Sequence, residues 1–382
     1  MSLAKLDKSL KRRKSSSPQK ALWEGPESDT PNGGITQSLI AKWLCCRYRF
    51  AVLVKDGLGP ADDFRHRLEF GSMWHICEEA LANGKEALAN GDDWDSDDWI
   101  EPLLAYCQEL LRRYPLQQEQ VEHWYHVCRI TFPVYVDYWS RNVDVLNRTP
   151  LLQEQVFKVP YKLSSGRTVY LRGKWDSVDL LGKGKSAKVY LKENKTKGDI
   201  IEADIQRQLH FDLQTGVYLV ALQAALPSIR PDLKAPLGGV VYNVVRRPLS
   251  GGRGSIRQHK PTKSNPSGES KEAFYSRLRD DVIAAEPEYF FMRWTVEFTS
   301  EDLYRFRKQC LDPVLENICY WWEEVSGKSH KHGPPNSHYR FPYGVYNPVS
   351  EGKMSEVDEY LNSGSMSGLQ RVTNLFKELE DV

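Results

Sequence analysis

The stretch from Thr168 to Arg247 constrains the fold more than any other part of the chain. Thr168–Leu181 and Ala187–Thr196 alternate in polarity or carry β-branched and aromatic residues, and Gly182-Lys183-Gly184-Lys185 separates them. Such a pattern predicts two strands joined by a glycine-rich hairpin turn. A long helical pattern then fits Ile201–Leu226, ended by Pro227, and Gly238–Arg247 reads as a further strand. Strand, helix, strand in that order places the second strand parallel to the first in the same sheet.

The sequence around this module divides by periodicity. Upstream, Thr36 is a good N-cap for an opening helix over Ser38–Phe50, and helical spacing recurs near Glu69–Ala89, 98–113 and 118–140. Gln153–Lys162 adds a strand, with a turn at Ser164-Ser165-Gly166. Downstream, residues 249–270 are Gly-, Ser-, Pro-rich and basic and read as a mobile loop. A helix near 271–284, a strand near 289–298, a helix near 301–324 and a last helix near 368–379 follow. The expected organisation is a flexible basic tail over 1–34 and one α/β domain over 35–325. Within it lie a helical part at 35–150, the sheet and helix at 151–248, the loop at 249–270 and a helix–strand–helix segment at 271–325. An irregular extension covers 326–382.

Composition narrows the class. Of 382 residues, 40% are hydrophobic and 27% charged, so a large core is possible and global disorder is not expected. Lys and Arg number 52 against 51 Asp and Glu, which excludes a uniformly basic binder but leaves room for a local basic groove. No apolar run approaches the ~18 residues of a membrane span. Seven scattered cysteines without a CxxC, and no apolar signal sequence, make a reducing cytosol the default. The basic, Ser-rich run from Lys11 to Pro18 reads as a solvated arm, or as a DNA-tethering or targeting arm.

The hairpin carries the residues that could do chemistry. Positions 176 and 193 are symmetric about the Gly184–Lys185 turn, so Asp176 falls opposite Glu193, about 5 Å away across the strands. Period two puts Glu193 and Lys195 on one face and Asn194 on the other. Two carboxylates repel each other, so their meeting beside an amine suggests a bound divalent cation, with Lys195 orienting or helping to deprotonate a water. Few ligands, all oxygen, favour Mg²⁺ or Mn²⁺. A cross-strand acid–lysine surface pair would give the same residues. On the following helix Gln206, His210, Gln214 and Tyr218 recur every four residues and form a polar stripe, suited to DNA phosphates, to bracing Lys195, or simply to water. His75, early on a helix, becomes a candidate ligand only in that company.

Taken in order, Gly71-x-x-x-His75, Gly173-x-x-Asp176, Glu193-x-Lys195 and Gln214-x-x-x-Tyr218 resemble the four signatures of RecB-like nucleases in the PD-(D/E)XK superfamily. Relatives of that type include CRISPR-associated RecB-like exonucleases and many phage exonucleases. The resemblance implies a mixed central β-sheet flanked by helices, with a helical N-terminal elaboration. It assigns His75, Asp176, Glu193 and the backbone carbonyl of Asn194 to one or two Mg²⁺ or Mn²⁺ ions, Lys195 to the attacking water, and Gln214 and Tyr218 to the DNA side. Cleavage would leave a 5′-phosphate and a 3′-hydroxyl.

The substrate expected on this resemblance is DNA, as ends or single strands, gripped by Arg172, Lys174, Arg246, Arg247, Arg253 and Arg257. The setting would be recombination, repair or defence in the cytoplasm of a bacterial or phage-infected cell, with a protein partner possible. The chain departs from iron–sulfur members of the family. Its opening Cys46-Arg47-x-Arg49-Phe50 is similar to theirs, but Cys310 and Cys319 are the only late cysteines and His338–Pro348 has none. No iron–sulfur cluster is expected, and Cys45 and Cys46 read as buried helix residues.

Other motifs fall away. Gly184-Lys185-Ser186 imitates the end of a phosphate loop but sits in a hairpin turn. Asp93-x-Asp95-x-Asp97 lacks the glycine and glutamate of a calcium loop. His123 and His126 read as helix packing, and His330, His332 and His338 as loop residues. Two other functions stay open: a non-catalytic DNA-binding or assembly protein on the same fold, and a structure- or sequence-selective endonuclease.

Overall fold

The computed structural model of the chain describes residues 21–90, 97–141, 148–198, 200, 208–248, 254–326, 359–360 and 363–379. Gln206, Arg253, Asp93, Asp95, the run from Lys11 to Pro18 and His330, His332 and His338 lie outside them. The chain groups into two units. One is drawn from Met1–Ala61, Lys162–Tyr170 and Val314–Val382, the other from Asp62–Tyr161 and Leu171–Pro313.

In the first unit a short strand β1 (Ile35–Thr36) leads into α1 (Gln37–Cys45), and the Thr36 hydroxyl accepts the Leu39 amide at 3.3 Å as the N-cap. The expected helix over Ser38–Phe50 is two helices. Cys46 has extended backbone (φ −158°, ψ 108°) and separates α1 from α2 (Arg47–Asp56), so it is buried at a break rather than within a helix. Trp43, Phe50 and Trp321 pack edge to face, with ring centroids 5.2–5.6 Å apart. Strand β2 (Leu58–Pro60) pairs antiparallel with Leu369–Arg371, and only Lys377–Leu379 turns as a 3₁₀ helix. The helix expected near 368–379 is therefore not formed.

In the second unit α3 (His66–Asn90), α4 (Ile100–Arg113) and α5 (Gln118–Ser140) bury Phe70, Trp74, Leu103, Leu110, Trp124 and Phe132 among themselves. The sheet begins with β3 (Arg148–Lys162) on β4 (Thr168–Leu181), continues through β5 (Lys188–Lys197) and β6 (Leu237–Arg246), and ends at β7 (Phe291–Glu297). β4 and β5 are antiparallel and joined by the Gly184–Ser186 turn, as their spacing predicts. β5 and β6 are parallel, with Glu193 beside Tyr242 and Asn194 beside Asn243, and β7 closes antiparallel to β6. Strand β6 is buried from Gly238 to Val245, as a strand covered on both faces must be.

The crossover differs from its expected form. Residues 208–210 are helical, Phe211 and Asp212 break the helix, and α6 (Leu213–Ile229) starts afresh with the Asp212 carboxylate accepting the Thr215 amide at 3.1 Å. Pro227 lies inside the last turn of α6 instead of ending it. Among the described residues no helix is long and apolar enough to cross a membrane.

Candidate active site

Two close approaches bring the site together, both within the second unit. A Cβ on Gly173 would stand 2.7 Å from the Phe157 ring and 2.8 Å from the Tyr218 ring, so β4 can meet α6 there only as glycine. A Cβ on Gly71 would be 3.1 Å from the Thr196 hydroxyl, which is how α3 comes close to β5 one turn before His75. The first and second signatures thus have a packing reason for their glycines.

At the hairpin the ladder of β4 on β5 runs from Leu181 to Ser177, which faces Lys192, and Asp176 follows at its end. There the Asp176 carboxylate accepts the Asn194 amide at 2.9 Å, and His75 Nδ1 stands 3.8 Å from the same oxygen. Glu193 and Lys195 share a face as the alternation predicts. Lys195 Nζ donates to Glu193 Oε2 at 3.0 Å and to Gln214 Oε1 at 2.8 Å, while Gln214 Nε2 donates to Glu193 Oε2 at 3.0 Å. Gln214 is therefore the side chain through which α6 holds the hairpin pair. Tyr218, one turn on, packs edge to face on Phe157 at 5.4 Å, and burial with the nearby Glu193 and Asp176 charges holds its phenol well above the usual range.

Burial sets the electrostatics. Glu193 has no exposed surface, and desolvation pushes its carboxyl up to about 8 even though Lys195 pulls the other way. For Lys195 burial would lower the ammonium, but Glu193 and Asp176 outweigh it and the net shift is upward. The second oxygen of Glu193, Oε1, is buried without a hydrogen-bond partner.

That orphaned oxygen decides whether a cation fits. A buried carboxylate oxygen with its partner oxygen already saturated by Lys195 and Gln214 is an acceptor waiting for a donor of positive charge, and Asp176 and His75 approach from the neighbouring elements. Among the described residues no three His, Cys, Asp or Glu side chains stand close enough to hold an ion unaided. Backbone oxygen and water would complete the coordination, as is usual for Mg²⁺.

The remaining predicted residues fall in different places. His210 lies before the helix break and stacks on Phe298 with centroids 5.0 Å apart, so it does not share a continuous stripe with Gln214. Lys174 pairs with Glu154 at 2.6 Å and faces Glu79 at 3.9 Å. Arg246 lies over the Tyr289 ring at 4.1 Å, with Nε donating to the Tyr289 carbonyl. Arg172 and Arg247 are buried, and Arg257 is exposed. His123 hydrogen-bonds Tyr275 and His126 stacks on it, a packing role.

One group behind the hairpin escaped the sequence. Asn243 Nδ2 lies 3.1 Å from Glu78 Oε1 and 2.9 Å from Asn194 Oδ1, and it also meets the Tyr135 hydroxyl. Glu78 is buried on α3 three residues after His75. Burial would raise its carboxyl, but Lys192, Tyr135 and Arg293 outweigh that and hold it low. This network ties α3 and β6 to the residue between Glu193 and Lys195. Its signal was present: Asn243 is the one hydrogen-bonding side chain between Val240-Val241 and Val244-Val245 apart from Tyr242.

Comparison with known families agrees with this geometry. The family model of the PD-(D/E)XK nuclease superfamily matches residues 35–306, most of the chain. The chain belongs to that superfamily, whose members are generally metal-dependent nucleases. A search of curated proteins found no match.

Proposed function

We propose that this protein is a RecB-like deoxyribonuclease that uses Mg²⁺ or Mn²⁺ and degrades DNA from its ends. The carrying observation is the triangle of Glu193 Oε2, Lys195 and Gln214, with Glu193 Oε1 left unpartnered and Asp176 anchored on the Asn194 amide. His75, Asp176 and Glu193, completed by the Asn194 backbone carbonyl and water, would hold the cation, which would polarise the scissile phosphate and lower the pKa of a bound water. Lys195 stays protonated, because Glu193 and Asp176 hold its ammonium up against burial. Its role on this reading is to donate a hydrogen bond to the attacking water and offset the charge that grows on the phosphate. Gln214 fixes the direction of that amine, and Asn194 carries Asp176 at the end of the ladder.

On this reading the enzyme serves DNA recombination, repair or defence in the cytoplasm of a bacterial or phage-infected cell. Its cofactor is one or two divalent ions, without an iron–sulfur cluster. The test is digestion of linear against covalently closed circular DNA in Mg²⁺ and in Mn²⁺. Loss of the linear substrate alone supports an exonuclease. Nicking or linearising of the closed circle at a matching rate would mean an endonuclease.

A further inference from the structure

On the face of the sheet opposite Glu193 and Lys195, three cations converge. Lys192 of β5, Arg293 of β7 and Arg148 at the start of β3 line two cavities in common. The smaller, about 70 Å³, also takes in Asp176 and Asn194. The larger, about 390 Å³, continues to Lys188 and Tyr190. In the smaller cavity Glu78, Glu154 and Asp176 match the three cations in number, so the excess of positive charge lies in the larger one.

The charges in the larger cavity do not balance. Arg148, Lys188, Lys192 and Arg293 line it with two carboxylates, Asp179 and Glu297, and Glu78 of the adjoining cavity is a third counter-charge beside Lys192 and Arg293. Arg148 stands 2.8 Å from Asp179, and Lys188 stands 2.8 Å from Glu297. Lys192, 8% exposed, reaches Glu78 only at 3.5 Å. Arg293 makes no ion pair among the described residues. It lies 3.8 Å over the Trp139 ring, its Nε is buried without an acceptor, and its contact with Asn243 Oδ1 is long at 3.4 Å. Clustered, partly buried cations with too few counter-charges are costly, and an anion relieves that cost.

The chemistry selects the anion. A guanidinium with unused donors matches the geometry of a phosphate, and a phosphomonoester brings about −1.5 to −2 charges and three acceptor oxygens. The larger cavity falls within the range of small-ligand sites, and Leu181 and Tyr190 give it an apolar wall beside the cations. We propose that it binds a terminal phosphomonoester, as the end of a nucleic-acid strand or as a free nucleotide. The inference takes its biological sense from the nuclease reading, but it is tested by binding without cleavage, so the two fail separately.

The experiment uses the full chain in EDTA. Fluorescent single-stranded oligonucleotides with a 5′-phosphate, a 3′-phosphate or hydroxyls at both ends are titrated by anisotropy. One phosphorylated end should bind about tenfold tighter than the hydroxyl-ended strand, about what one charge-assisted contact supplies. Arg293→Gln should remove that preference and leave hydroxyl-ended binding unchanged; Arg148→Gln serves the same purpose if Arg293→Gln does not fold. Competition by a deoxynucleoside monophosphate would make free nucleotides a ligand, and its failure with the end preference intact would make strand ends the sole source. Equal binding of all three oligonucleotides by the folded wild type overturns the proposal, as does a preference that survives both variants.

Discussion

Replacing Glu193 by Gln isolates what the buried carboxylate costs the fold. In the folded chain the carboxyl is pushed from 4.5 up to about 8 by burial. Because the folded value is the higher one, the neutral form is favoured on folding. The associated stability is fully present below about 4.5 and is lost as pH rises through about 8. At about 1.4 kcal/mol per pH unit the loss has a ceiling of roughly 5 kcal/mol with the 3.0 Å contact to Lys195 already counted, and local relaxation and water entry bring it lower. Gln has the same shape and no charge. In EDTA, Glu193→Gln should differ from wild type by about 1 kcal/mol or less at pH 5, and exceed it by roughly 2–4 kcal/mol at pH 8.5. Urea unfolding followed by tryptophan fluorescence at both pH values measures this. A difference that does not change with pH, or a wild type more stable at pH 8.5, would refute the reasoning. It would mean that the pair with Lys195 more than repays desolvation.

Other outcomes follow from the same contacts. Adding Mn²⁺ at pH 8.5 should raise the thermal midpoint of the wild type and leave Glu193→Gln and Asp176→Asn nearly unmoved, read by differential scanning fluorimetry. Asn243→Ala strands Glu78 Oε1 and Asn194 Oδ1 in the core. It should cost about 1–3 kcal/mol in urea unfolding and lower kcat more than it raises KM. Gly216→Ala puts a Cβ 2.6 Å from the Phe306 ring, so it should destabilise by about 1–3 kcal/mol, with Phe306→Leu restoring most of the loss in the double variant.

Local spacing disclosed the hairpin because its register depends only on the turn and the alternation of side chains, both short-range. It therefore delivered Glu193 and Lys195 on one face and Asp176 at their level. The helix over Ile201–Leu226 misled because its apolar spacing continues through a break. Asp212 caps α6 through Thr215, an Asp-x-x-Thr signal weaker than the periodicity around it, and Phe211 is 81% exposed there. The C-terminal helix failed for a different reason: Leu369–Arg371 finds its partner in Leu58–Pro60, a pairing across most of the chain that no local pattern shows. The Glu78–Asn243–Asn194 network and the Arg148–Lys192–Arg293 cluster each draw on three distant elements, so they appear only once the sheet is assembled.

The central claim is that these residues form a metal-dependent nuclease site, and end-labelled linear DNA tests it most directly. Wild type, Lys195→Ala and Asp176→Asn are incubated with single- and double-stranded substrate in Mg²⁺, Mn²⁺ or EDTA, with gel-shift binding measured alongside. Cleavage by the wild type in either metal and not in EDTA is predicted. Both variants should lose cleavage by at least about a hundredfold, on the scale of removing a catalytic group, while still shifting the DNA. Undiminished cleavage in Lys195→Ala, or a wild type that binds every substrate and cuts none with either metal, would contradict the account.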